Sequence, residues 1–212
     1  MDIFLSVGNT ANKAQEDFVC AVESRLRSEG LNPRTVGRNH FSLEAPLKTV
    51  TELVDQCAGT VVIALERLYF PEGIERRNGP KQSSLTNISL PTPWNQIEAA
   101  LSYSRGLPLL VIVANEVRSE GLLEPGYDWY VQRVQPTEAS LHTPEFNGVL
   151  ASWKCKLAPR LKTAKATPDP SQMTVGQLIA GLRPAQLWTI LGALAALIGG
   201  TFALGARLAG GA

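Results

Sequence analysis

One carboxylate, Glu98, stands out because the predicted helix would direct it into the crevice at the edge of the sheet. Residues 94–105 have helical periodicity, with Trp94, Ile97 and Leu101 on an apolar stripe. Glu98 follows Trp94 by four residues, so both side chains project from one face of the helix. A carboxylate held at a cleft can act as a nucleophile or stabilise a positive charge. The alternatives are a solvated surface glutamate and a tryptophan packed in the core.

Other polar residues follow the predicted strands. Ser6, Gly8 and Asn9 end and follow the first apolar run, Arg38 lies in the loop after the second strand, and Tyr69 follows the third. Ligands bind at the carboxyl ends of the strands in an open parallel sheet. We therefore interpret these five residues, with Trp94, as ligand-binding. Arg38 would meet a phosphate and Tyr69 or Trp94 a base, although a solvated surface arginine is an equally good interpretation of Arg38.

The composition gives no indication of a metal or a nucleic-acid site. The three cysteines, Cys20, Cys57 and Cys155, have no ligand spacing, and two histidines are too few for a common Cys/His zinc site. Cys20 and Cys57 fall on apolar helix stripes, which predicts core packing for both. The net charge of +1 argues against a protein that mainly binds nucleic acid. We expect no cofactor and no metal, with a nucleotide as substrate or ligand.

The elements that would position these residues alternate between strand and helix. Continuous apolar runs such as 60–65 and 108–113 are typical of buried parallel strands, and amphipathic helices lie between them. This order predicts an α/β domain over residues 1–160 with a flavodoxin-like, doubly wound parallel sheet. Residues 129–134 are predicted as an edge strand. Residues 71–93 are rich in glycine, proline and serine, and we expect a long irregular loop there.

The C-terminal part has a different character. We predict a linker over residues 161–173, a short amphipathic helix over 174–183 and a transmembrane helix over 184–208. No charged residue occurs from 185 to 206, a stretch of about 33 Å as a helix, which is enough to cross a bilayer. Basic residues precede the span and only Arg207 follows it, which predicts a single-pass membrane protein with a cytoplasmic N-terminal domain. A buried core helix is the alternative.

Small residues recur at intervals of four within the predicted span. Gly192, Ala196 and Gly200 would share one helix face and permit close helix–helix approach in lipid. We interpret this face as a site of homo-oligomeric association. Chance occurrence is an equally weighted alternative, because glycine and alanine are common in membrane helices.

The motifs resemble those of Toll/interleukin-1 receptor (TIR) domains across about residues 1–157. Asp2-Ile3-Phe4-Leu5-Ser6 is similar to that family's opening strand, and Phe18 stands where its first helix has an apolar anchor. Trp94-Asn95-Gln96-Ile97-Glu98 matches the W-x-x-x-E pattern in which NAD-cleaving TIR domains carry their catalytic glutamate. This segment and the strand after it also resemble the nucleoside deoxyribosyltransferase superfamily, whose members use a glutamate as nucleophile on a sugar carbon.

Both resemblances imply an enzyme that cleaves an N-glycosidic bond with Glu98 as the catalytic residue. Together with the predicted membrane helix, the TIR resemblance implies a membrane-anchored N-glycosidase that acts on NAD or a related nucleotide, as a bacterial antiphage defence effector. The alternative is a non-catalytic domain that senses a nucleotide or binds partner TIR domains and signals through its membrane helix. A plain scaffold protein is the third interpretation.

Overall fold

The computed structural model describes residues 1–157. This part of the chain contains α-helices, β-strands and two short 3-10 turns at Gly121–Leu123 and Glu138–His142. In chain order the elements are β1 (Asp2–Val7), α1 (Lys13–Ser28), β2 (Asn32–Arg34), α2 (Pro46–Gln56), β3 (Thr60–Ala64), β4 (Leu68–Glu75), β5 (Ser83–Leu90), α3 (Pro93–Ser104), β6 (Leu109–Ala114), β7 (Tyr130–Val134) and α4 (Pro144–Cys155).

Five of the strands form one parallel sheet in the order β2-β1-β3-β6-β7. All neighbouring pairs are parallel, with Phe4 opposite Thr60 and Val61 opposite Leu110. When only the five strands of this sheet are counted in chain order, β6 and β7 become the fourth and fifth. The order is then 2-1-3-4-5, as in flavodoxin-like folds. The predicted parallel α/β sheet is confirmed, and β7 is an edge strand as expected.

Helices cover both faces of the sheet because alternate strand residues point to opposite sides. On β1, Ile3 and Leu5 belong to the larger core cluster, which includes Phe18 of α1 and Leu150 of α4. Phe4, between them, belongs to a second cluster with α2 residues such as Leu53. Every residue of β3 and β6 is buried, which explains why both strands read as continuous apolar runs.

The predicted loop over residues 71–93 is wrong, because most of this segment is a β-hairpin. Strands β4 and β5 pair antiparallel, with Phe70 opposite Ile88, and form a separate two-stranded sheet. The glycine that favoured a loop is instead packed inside the strand pair: a Cβ on Gly73 would lie 2.9 Å from Ile88 Cδ1. Arg118 fixes the hairpin to the main domain, since its amide donates to Ser89 O at 2.9 Å and its guanidinium pairs with Glu75 at 2.8 Å.

Helix α3 buries the face next to its apolar stripe instead of the stripe itself. Trp94 and Ile97 are exposed, whereas the buried residues are Asn95, Glu98, Ala99 and Ser102. Hydrogen bonds to the sheet compensate for burying polar groups. The hydroxyl of Thr60 on β3 donates to Ser102 Oγ at 2.7 Å, and the Ser102 hydroxyl donates to the Glu98 carbonyl at 2.8 Å.

The two cysteines predicted to lie in the core differ. Cys57 is buried, as expected, but Cys20 is exposed on α1, so its predicted core packing is wrong. Its thiol lies 3.6 Å from Glu16 Oε1, on the polar side of the helix. The position between Val19 and Val22 suggested burial, yet the buried stripe of α1 passes through Phe18, Val22 and Leu26 and leaves Cys20 outside it.

The membrane predictions fall on residues that the structure does not describe. Among residues 1–157, no helix is both long and apolar enough to span a bilayer. The linker over 161–173, the helix over 174–183 and the span over 184–208, with Gly192, Ala196 and Gly200, all lie outside the described residues.

Candidate functional site

A cleft of about 430 Å³ opens at the carboxyl edge of the parallel sheet. Its walls come from the loops that follow β1, β2 and β3 and from the first turns of α2 and α3. Between β1 and β3 lies the switch point of the sheet, where strands before and after it are added on opposite sides, and ligands bind at this point in flavodoxin-like sheets. The lining residues are Val7, Gly8, Asn9, Val36, Pro46, Val50, Arg67, Thr92, Pro93, Trp94 and Glu98.

Glu98 is a buried carboxyl that borders this cleft. Its side chain projects from the second turn of α3, and the residue is only 8% exposed. Burial raises the pKa of the carboxyl to about 7, because the charged form loses hydration, and a hydrogen bond with Ser6 opposes part of that rise. The carboxyl is therefore divided between its neutral and ionised forms near neutral pH. This excludes the solvated surface glutamate that the sequence left open.

Ser6 and Asn95 form a buried support beneath the carboxyl. Asn95 Nδ2 donates to Ser6 Oγ at 3.0 Å and lies 3.4 Å from the carbonyl oxygens of Ser6 and Ile63. Because the Ser6 oxygen accepts from Asn95, its own proton is free to point to Glu98. Asn95 was not among the predicted site residues, although its position inside the W-x-x-x-E motif, one turn before Glu98, was available as a signal.

Gly8 brings the loop after β1 against the start of α3. A Cβ at this position would lie 2.9 Å from Thr92 Cγ2, which is closer than Cβ atoms approach other side-chain atoms in proteins. Thr92 is the N-cap of α3, and its hydroxyl oxygen accepts from the Trp94 amide at 3.4 Å. Glycine therefore permits the close approach that places the Gly8–Asn9 loop and the first turn of α3 on the same cleft.

Three of the six predicted ligand-binding residues do not line the cleft: Ser6, which hydrogen-bonds Glu98, and Tyr69 and Arg38, which have other partners. Tyr69 lies on β4, where its hydroxyl donates to Asn87 Oδ1 at 2.6 Å. The Arg38 guanidinium contacts both oxygens of Glu16, at 2.7 and 3.0 Å, and reaches Glu23 at 3.3 Å. Hydrogen bonds from Arg38 lower the pKa of Glu16 to about 2, so this pair stays charged at neutral pH.

The remaining predicted residues are brought together. Gly8, Asn9 and Trp94 line the cleft together with Glu98, and Ser6 hydrogen-bonds Glu98. Trp94 is 40% exposed, so it is not the core-packed tryptophan of the alternative interpretation. Arg67 also borders the cleft and was not among the predicted site residues, although its position just after the third strand was available as a signal.

A second cavity, of about 620 Å³, lies beside the starts of β6 and β7, at the amino edge of the sheet. Aromatic side chains such as Tyr103, Tyr127 and Trp129 dominate its walls. Tyr127 and Trp129 stack with ring centroids 4.6 Å apart. The candidate site is nevertheless the smaller cleft, because it lies at the ligand-binding edge and contains the buried carboxyl. Within residues 1–157, no group of three His, Cys, Asp or Glu side chains is arranged to hold a metal ion.

Comparisons with known proteins give only distant similarities, and these are to solved structures. No protein-family model matches the sequence, and no curated protein matches it. Among solved structures, the chain is similar to the CMP N-glycosidase BcmB of Clostridium botulinum, with a TM-score of 0.32 and 14% identity. The similarity covers 54% of this chain and 72% of that one. It is a distant likeness of fold, so substrate and site residues rest on this chain's own geometry.

Proposed function

We propose that this protein is an N-glycosidase that cleaves the bond between ribose and base in NAD or a related nucleotide. The observation that carries the proposal is the buried carboxyl of Glu98, with a pKa of about 7, at the ligand-binding edge of the sheet. Burying a carboxyl costs stability, and such perturbed groups concentrate at functional sites. The W-x-x-x-E motif, with Trp94 beside the carboxyl at the cleft, gives further support.

The reaction requires no metal and no redox partner. The bond between the anomeric carbon and the base nitrogen breaks, and its electron pair leaves with the base. In NAD the pyridinium nitrogen takes the pair, so nicotinamide departs as a neutral molecule. Water adds to the anomeric carbon and one proton is released, giving ADP-ribose. Glu98 in its ionised form would stabilise the positive charge at that carbon, or attack it before water does.

The surroundings of Glu98 suit this role. The Ser6 hydroxyl holds the carboxyl in place, and the largely buried position strengthens its attraction for a developing positive charge. Trp94, half exposed at the edge of the cleft, offers an aromatic surface for the departing base. Asn9 and the Gly8 backbone also border the cleft, where the sugar or phosphates would lie.

The proposal also includes the C-terminal segment. A transmembrane helix over residues 184–208 would anchor the enzyme as a single-pass protein with its N-terminal domain in the cytoplasm. Association through Gly192, Ala196 and Gly200 would bring several domains together at the membrane. A bacterial defence effector that depletes NAD on clustering is the biological role consistent with such an arrangement. The support for this part comes from the sequence.

The full-length protein in vesicles, incubated with NAD, tests the proposal. We expect nicotinamide and ADP-ribose in equal amounts, with one proton released per turnover. A deoxynucleoside in a parallel reaction tests the deoxyribosyltransferase-like alternative. Raising the protein density in the vesicles tests whether clustering is required. Saturable NAD binding without base release at any density would contradict the enzyme and favour the nucleotide-sensing function.

A further inference from the structure

Arg67 lines the cleft, and its positive charge has no role in the proposed reaction. It follows β3 after a short connection, and its amide donates to the Leu90 carbonyl at 2.9 Å, at the base of the hairpin. This backbone bond fixes the point from which the side chain extends. Arg67 borders both the cleft that contains Glu98 and a small adjoining cavity bordered by Asn95.

The Arg67 guanidinium has no hydrogen-bond or ion-pair partner within residues 1–157. The carboxylate beside it in sequence, Glu66, instead accepts a hydrogen bond from the Ser89 hydroxyl. Glu98 is influenced by burial and by Ser6, with no contribution from Arg67. By contrast, Arg38 and Arg118 each contact two carboxylates.

This arrangement gives the cleft an unbalanced positive charge. Among the residues that line the cleft, Arg67 is the one cation, and Glu98 is the one carboxyl. Because the Glu98 carboxyl has a pKa of about 7, it is only partly ionised at neutral pH and does not cancel the arginine. The guanidinium fork matches two oxygens of a phosphate better than a lysine ammonium would.

We infer that Arg67 binds a phosphate group of the ligand, so that the substrate of this site is a phosphorylated nucleotide and not a free nucleoside. The inference rests on the proposed function for the reaction that follows binding. The assignment of the anion to Arg67 is separate from it, because phosphate binding does not depend on bond cleavage. Arg67 is thus a specificity-determining residue, and Glu98 remains the catalytic one.

Three substrates with the same glycosidic bond test this inference: NAD, nicotinamide mononucleotide and nicotinamide riboside, which has no phosphate. With the full-length protein, we expect Arg67→Gln to raise KM for the two phosphorylated substrates by about 10- to 100-fold, the range for a lost hydrogen bond to a charged group. The kcat/KM for the riboside should stay unchanged. Arg67→Lys should recover part of the loss because it restores the charge without the fork. Arg77→Gln, at the exposed tip of the hairpin, is the matched control and should behave as the wild type.

Equal losses for all three substrates in Arg67→Gln, or no loss for any, would overturn the inference. A binding measurement separates this result from failure of the proposed function. ADP-ribose and adenosine are titrated against the wild type and Arg67→Gln at two salt concentrations. Salt-sensitive ADP-ribose binding that disappears in Arg67→Gln supports the inference even if no base is released from any substrate. ADP-ribose binding of equal strength in both proteins, or no binding to the wild type, contradicts it.

Discussion

Ser6 Oγ lies 3.0 Å from Asn95 Nδ2 and also hydrogen-bonds Glu98, so a buried strand residue joins two side chains of the same helix. Ser6 is fully buried, and Asn95 nearly so. The amide donates to the hydroxyl, which leaves the hydroxyl proton for the carboxylate. This connection favours the ionised form of Glu98 against the effect of burial.

Removing the Ser6 hydroxyl is expected to shift the pH dependence of catalysis. If the ionised carboxylate acts, the rate of NAD cleavage rises as pH increases through about 7 and then levels off. The hydrogen bond with Ser6 lowers the pKa of Glu98, so Ser6→Ala raises that pKa and moves the inflection to higher pH. The measurement is kcat/KM for NAD against pH.

Ser102→Ala is the matched control for this shift. It removes another buried hydroxyl of α3, one that bonds Thr60 and the Glu98 carbonyl but not the carboxyl. We expect a loss of stability from Ser102→Ala with the inflection unchanged. An identical pH profile for Ser6→Ala and the wild type would show that Ser6 has no influence on the active form of Glu98.

Replacing Glu98 with glutamine should stabilise the fold at high pH. The folded-state pKa is raised from 4.5 to about 7, so the contribution of Glu98 to stability is present below pH 4.5 and is lost as pH rises through 7. Glutamine cannot ionise and avoids this loss. The unfolding free energy of Glu98→Gln should therefore exceed that of the wild type by up to about 3 kcal/mol above neutral pH.

Denaturant unfolding at several pH values, followed by tryptophan fluorescence, checks this gain. The two proteins should be equally stable near the unfolded-state pKa and diverge as pH rises. Glu52→Gln, on the exposed side of α2, should show no such divergence. A constant difference between Glu98→Gln and the wild type at all pH values would contradict a raised pKa of Glu98 in the folded protein.

The contact between Gly8 and Thr92 predicts a pair of coupled substitutions. Gly8→Ala places a methyl group 2.9 Å from Thr92 Cγ2, which should cost about 1–3 kcal/mol of stability and lower activity by moving the loop from the cleft. Thr92→Ser removes Cγ2 and keeps the capping oxygen. The double variant should therefore recover most of the unfolding free energy. Losses that simply add would contradict this packing.

A single charged substitution tests the predicted membrane span. Leu194→Arg places a basic residue at the centre of the span, where insertion costs about 2.5 to 3.5 kcal/mol on translocon scales. Less of the full-length protein should remain in the membrane fraction after alkaline extraction, whereas Leu194→Phe should stay there. Equal retention of wild type and Leu194→Arg, or a wild-type protein found entirely in the soluble fraction without detergent, would contradict the anchor.

Local sequence patterns were sufficient for the sheet and for part of the site. The runs over 60–65 and 108–113 are apolar because both faces of β3 and β6 are covered. Such runs can be recognised from one sequence alone. Glu98 and the Gly8–Asn9 turn could be placed because strand ends in a parallel sheet converge at one edge. Their convergence on the cleft follows from topology alone.

Features that depend on distant partners could not be predicted in this way. Helix α3 buries the polar side chains next to its apolar stripe because Ser6 and Thr60 of the sheet hydrogen-bond them, whereas hydrophobic periodicity alone predicts that the stripe is buried. The hairpin was not predicted because proline and glycine, as at Pro71 and Gly73, usually indicate loops. Arg38 was assigned to a ligand because sequence does not show that Glu16 already holds it.

Nicotinamide release by Glu98→Gln tests the catalytic role of the buried carboxyl most directly. Glutamine keeps the shape of the side chain and removes the negative charge, so a folded protein that binds NAD should lose turnover. We expect kcat to fall by about 100- to 1,000-fold with little change in KM, as for a group that acts in the transition state, while Glu52→Gln keeps the wild-type rate. A wild-type rate of nicotinamide release from Glu98→Gln would contradict the role of Glu98 and remove the basis for the proposed N-glycosidase.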